Sequence, residues 1–118
     1  MNSFQPKNSK RPEDIIRDAI AKKLRLFGWF VKVTNGNTYQ TGFPDLYCTH
    51  KEYGPRWIDV KRKERHAFTP AQVRDWPQFM ANGSPIWILT SDTDDELALL
   101  FRPANLYLYL NPFSRTGK

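Results

Sequence analysis

Residues 42–63 read GFPDLYCTHKEYGPRWIDVKRK, and this stretch constrains the fold more than any other. It holds two apolar, β-prone runs, expected as strands over 45–49 and 56–62. The turn signal Tyr53-Gly54-Pro55 lies between them. A connection that short suits an antiparallel hairpin. Each strand nevertheless carries an aspartate, Asp45 or Asp59, where a plain core strand would have an apolar residue. An unpartnered buried carboxylate is costly, so the two acids call for an explanation.

Alternation along a strand supplies part of one. Ile58 and Val60 share one face, and Asp59 and Lys61 share the other. Hairpin pairing brings Asp45 near Asp59, and two such carboxylates repel unless a proton or a cation intervenes. Adjacent carboxylates suit Mg²⁺ or Mn²⁺, and a neighbouring lysine can orient a water or balance charge on a phosphate. The competing reading is a surface Asp–Lys pair on a solvated sheet face, worth little energetically.

The flanking pattern sets the architecture. Pro12-Glu13-Asp14 opens a helix whose apolar positions Ile16, Ala19, Ile20, Leu24 and Phe27 recur at helical spacing before Gly28. Strands follow over 29–34 and 85–91, and a second helix begins at Thr69-Pro70-Ala71-Gln72 and ends near Asn82-Gly83. Residues 35–42 are read as a loop. A short helix is expected over 94–101 and an alternating edge strand over Leu106–Leu110. The order αβββαβ predicts an α/β fold, a small mixed β-sheet flanked by helices. With 118 residues the chain supports one domain, placed at 12–111 between a basic tail (1–11) and a C-terminal tail (112–118).

Composition narrows the classes of function. A net charge of +6 favours a polyanionic partner. The single cysteine, Cys48, excludes an internal disulfide and a multi-cysteine zinc site, and its apolar run predicts a buried inert thiol. No apolar run approaches the roughly 18 residues that span a bilayer, and no secretory signal is visible. No membrane association and an intracellular, cytoplasmic location are expected, a phage or mobile element being one source. There is no P-loop or dinucleotide motif, so no nucleotide cofactor is expected.

Pro44-Asp45, thirteen intervening residues, and Asp59-Val60-Lys61 together resemble the PD-(D/E)XK nuclease signature. With Glu13 on the first helix and Gln72 opening the next, the chain most resembles stand-alone VRR-NUC domains over 12–91. Archaeal-type Holliday junction resolvases are a close second. The resemblance implies a restriction-endonuclease-like core and a Mg²⁺- or Mn²⁺-dependent endodeoxyribonuclease acting on structured DNA such as Holliday junctions, working as a homodimer. It implies Glu13, Asp45, Asp59 and the Val60 carbonyl as metal ligands, and Lys61 as the catalytic lysine. Gln72 would assist the attacking water or the scissile phosphate, completing a catalytic set of Asp45, Asp59, Lys61 and Gln72. Asp59 departs from the glutamate more common at that position.

Arg62, Lys63, Arg65 and His66 follow the motif and suit contacts to flanking phosphates, while Asn37 and Tyr39 precede Asp45 in a loop suited to reach DNA. Structural readings compete at three positions. Glu13 fits first-turn dipole compensation. Gln72 completes a Thr-x-x-Gln capping box, a duty expected to compete with a role in the site. Trp57 shares the Asp59 face and is expected to pack against the first helix, with bordering a cleft as the alternative. Trp29, Trp76 and Trp87 are expected in the core. Two readings stand beside the nuclease: a non-catalytic DNA-binding module that keeps the fold, and a nuclease subunit active only with a partner.

Overall fold

The computed structural model describes residues 11–34 and 42–111. The tail 1–10, the segment 35–41 with Asn37 and Tyr39, and the tail 112–118 lie outside the described residues.

Helix α1 (Pro12–Leu26) starts with proline in its first turn and Glu13 and Asp14 at its positive end. Ile20, Ala21 and Leu24 are its buried stripe. Gly28 ends it at φ +94°, a left-handed conformation that favours glycine, and the Trp29 N–H returns to the Leu24 carbonyl at 3.0 Å. The chain then runs through β1 (Phe30–Val33), β2 (Leu46–His50), β3 (Gly54–Val60), α2 (Pro70–Ala81) and β4 (Ile86–Leu89). The sheet order is β1-β2-β3-β4: the first three strands are antiparallel, and β4 joins β3 in parallel. The expected mixed sheet is present, with strand limits differing by one or two residues from those read in the sequence.

Strand alternation divides the interior in two. Val31, Leu46, Cys48, Ile58, Val60, Trp87 and Leu89 pack with α1 on one face. Ile86, Ile88 and half-buried Trp57 pack with Trp76 of α2 on the other. Trp57 therefore meets α2 and not α1, with Phe43, Tyr47 and Phe79 ringing it at centroid distances of 5.0–5.9 Å. The hairpin pairing brings Tyr47 directly opposite Trp57, and odd-numbered β3 positions face α2. Cys48 is fully buried, and burial pushes its thiol up to about 12.

Beyond β4, α3 (Asp94–Leu97) and a 3₁₀ turn (Ala98–Phe101) cover the predicted short helix. Leu106–Leu110 is not an edge strand: Leu106–Tyr109 forms the one-turn helix α4. Leu106 and Leu110, four residues apart, are buried, whereas Leu108 is exposed, which is a helical and not a two-residue period. Another strand is also obstructed at Ile88 of β4, where the buried Asn105 side chain accepts from Ile88 N (2.6 Å) and donates to Ile88 O (3.0 Å). Among the described residues, no helix is long and apolar enough to cross a membrane.

Candidate active site

One end of the sheet gathers the chemistry. A cavity of about 460 Å³ is lined by Glu13 from α1, Asp45 ahead of β2, Asp59 and Val60 from β3, Lys61 just beyond it, and Gln72 from α2. These six are the residues expected as metal ligands or catalytic groups, so the fold brings the whole set to one surface.

The two aspartates are interlocked. Asp45 N–H donates to Asp59 Oδ1 at 3.2 Å, and Val60 N–H donates to Asp45 Oδ2 at 3.0 Å. The hairpin register causes this, because Leu46 pairs with Ile58 and leaves the preceding and following residues as neighbours. Asp59 is only 2% exposed. Burial, and then the Asp45 charge, push its carboxyl up to about 8, while Lys61 pulls it the other way. The solvated Asp–Lys reading therefore fails: Lys61 is itself 8% exposed, and its Nζ sits 3.1 Å from Asp59 Oδ2.

Gln72 holds the other side of the lysine. Its Oε1 accepts from Lys61 Nζ at 3.0 Å and also from Thr69 N–H at 3.1 Å, while Thr69 Oγ1 accepts from Gln72 N–H at 3.1 Å. The capping box and the contact with Lys61 coexist, contrary to expectation, because a carbonyl-type oxygen has two lone pairs and here uses both.

Glu13 faces the cavity without closing a three-acid cluster. Among the described residues, no three His, Cys, Asp or Glu side chains form a group that could hold a metal ion. The donor chemistry nonetheless fits a hard divalent cation: all the donors are oxygens, and one is a buried carboxylate beside a second.

Arg62, Arg65 and His66 line the same cavity. Arg65 N–H donates to Arg62 O at 3.2 Å, closing a tight turn that presents cationic side chains. Lys63, at the turn's apex, is exposed and outside the cavity. Arg11, assigned from sequence to the tail, also lines the cavity, with Nη2 3.4 Å from Asp14 Oδ1. Its three-residue spacing from Asp14 at a helix start was the available signal.

No protein-family model matches the chain, and no curated protein matches it. Among solved structures, one described as a VRR_NUC domain superposes with a TM-score of 0.59 at 20% sequence identity, covering 76% of this chain and 95% of that one. The protein is thus a small α/β domain. Its fold is that of VRR_NUC domains, as the sequence resemblance implied.

Proposed function

We propose that the protein is a divalent-cation-dependent endonuclease that hydrolyses phosphodiester bonds of structured DNA, four-way junctions foremost. The observation carrying this reading is the interlocked pair of half-buried Asp45 and buried Asp59, with Lys61 bridging Asp59 and Gln72. Mg²⁺ or Mn²⁺, held by Glu13, Asp45, Asp59 and the Val60 carbonyl, would supply Lewis acidity and an activated water. Lys61 places a fixed positive charge where negative charge builds on the scissile phosphate. Gln72 fixes the lysine's direction, leaving it less freedom to lose when substrate arrives. Arg11, Arg62, Lys63, Arg65 and His66 hold flanking phosphates, which makes binding fall steeply with salt. Residues 12–111 act as the nuclease domain inside the cell. A homodimer presents two such sites to the two strands of a branched substrate.

A second reading is a DNA-binding module that has kept the fold without the chemistry, and the open three-acid cluster favours it. A panel of linear, flap and four-way-junction DNAs with Mg²⁺, Mn²⁺ or EDTA separates the two. Cutting with either cation and not in EDTA is expected. Asp59→Ala and Lys61→Ala should keep folding and junction binding and lose cleavage by about 100-fold or more. Full activity in both variants excludes this site, and binding without cutting on every substrate establishes the module. Cutting restored only by an added protein would mark a subunit of a larger nuclease.

A further inference from the structure

The ammonium of Lys61 has two polar and two aromatic neighbours. Beyond Asp59 Oδ2 and Gln72 Oε1, its Nζ lies 4.5 Å from the ring centroid of Phe68 and 5.5 Å from that of Trp76. The two rings stand perpendicular, at 89° with centroids 5.9 Å apart, so they form a corner behind the charge. A cation over an aromatic face is attracted by the ring quadrupole, most strongly where water is excluded.

Both rings are anchored to the parts that build the site. Trp76 is fully buried, and its indole N–H donates to the Gly42 carbonyl at 2.8 Å, tying α2 to the segment that leads into Asp45. Phe68 directly precedes Thr69, the cap residue locked to Gln72. The elements that position the carboxylates and the amide therefore also position the rings.

We propose that Phe68 and Trp76 are positioning residues for Lys61, an aromatic corner that holds the ammonium against Asp59 and Gln72 and aims its remaining N–H into the cavity. The inference rests on the nuclease reading and deepens it. Lysine is a point charge on a flexible four-carbon stem. Two oxygen acceptors fix two of its three donors, and the rings limit where the third can turn. Phe68 and Trp76 also pack in the α2-side core, so simple filling of space is the competing role.

Phe68→Leu and Phe68→Tyr separate these roles, since leucine keeps apolar bulk without a π face and tyrosine keeps the face. Cleavage of a synthetic four-way junction with Mn²⁺ should show kcat reduced about tenfold in Phe68→Leu with KM unchanged, and near wild type in Phe68→Tyr. Thermal midpoints of both variants verify folding. In parallel, NMR of the protein without metal or DNA should find the Lys61 ε-methylene displaced upfield by ring currents. That displacement should be lost in Phe68→Leu and kept in Phe68→Tyr. Wild-type kcat in Phe68→Leu, or a Lys61 resonance identical in wild type and Phe68→Leu, overturns the proposal. If the wild type cuts none of the DNAs, the nuclease reading fails, and the NMR comparison alone decides whether the aromatic corner holds the lysine.

Discussion

Asp45 and Asp59 each accept a backbone N–H from the other's strand: Asp59 Oδ1 takes that of Asp45 at 3.2 Å, and Asp45 Oδ2 takes that of Val60 at 3.0 Å. The hairpin's register brings the two carboxylates together, and each is held there by a backbone N–H. Neither acid can turn away to relieve the repulsion without giving up a bond that the strand ends need.

The cation-free protein should lose stability as pH rises. Burial and the Asp45 charge raise the folded-state pKa of Asp59 to about 8, against about 4 when unfolded. Between those values the folded state binds the proton that the unfolded state releases. Stability therefore falls as pH climbs from about 4 to 8, by at most ~1.4 kcal/mol per pH unit, and levels off above. Urea midpoints in EDTA at pH 5, 6, 7 and 8 measure the descent, which Asp59→Asn should flatten. An equal descent in that variant would place its origin elsewhere.

Added Mn²⁺ should reverse this loss, because the cation competes with the proton for the same oxygens. At about 100 times its dissociation constant, a ligand that binds only the folded state adds ~2.7 kcal/mol. The rise in melting temperature should be larger at pH 8 than at pH 5.5 and absent in Asp45→Asn/Asp59→Asn. An unchanged wild-type midpoint at both pH values in millimolar Mn²⁺ would discredit the ligand set.

Much of this was legible in the sequence because β3 has a strict two-residue period. Trp57 and Asp59 fall on one face and Ile58 and Val60 on the other, and the structure keeps that division. The turn residues limited the pairing to a hairpin, which brought Asp45 to Asp59. Leu106–Leu110 failed because five residues with apolar positions 106, 108 and 110 fit a strand, while 106 and 110 alone also fit a helix. What decided it was Asn105 bonding to Ile88, a long-range contact that no local pattern announces. Likewise, the face met by Trp57 depended on which helix crosses which side of the sheet. The doubled role of the Gln72 oxygen depended on where Lys61 reaches.

That doubled role separates stability from turnover. Gln72→Ala removes both the reciprocal cap and the lysine's partner, and should cost about 1 kcal/mol of stability together with most of the cleavage rate. Gln72→Glu keeps an acceptor at the same place in the capping box, so its thermal midpoint should stay near wild type. Its carboxylate adds a second negative charge beside Lys61, and cleavage should drop. A Gln72→Glu protein as unstable as Gln72→Ala would show that the cap is not what the oxygen supports.

The basic turn should govern affinity and leave chemistry alone. Lys63 is exposed at its apex, outside the cavity. Lys63→Ala should weaken junction binding, leave saturating kcat unchanged, and reduce the slope of log affinity against log salt by about one if it neutralises one phosphate. An unaltered slope would remove Lys63 from the interface.

Asn105 should prove the most sensitive position outside the cavity. Its side chain satisfies both Ile88 N–H and Ile88 O, and Ile88 stands opposite Asp59 in the β3–β4 pairing. Asn105→Leu matches its size but leaves two strand groups unpaired in a buried setting, at about 1–3 kcal/mol each. Asn105→Asp keeps the acceptor and loses the donor, and it adds a charge in a site only 8% exposed. Denaturant unfolding at pH 7 should find both variants well below wild type. If β4 braces the strand that carries Asp59, amide exchange at Val60 and Lys61 should quicken in both. Wild-type exchange there, beside a lowered midpoint, would confine the effect to β4 and detach Asn105 from the site.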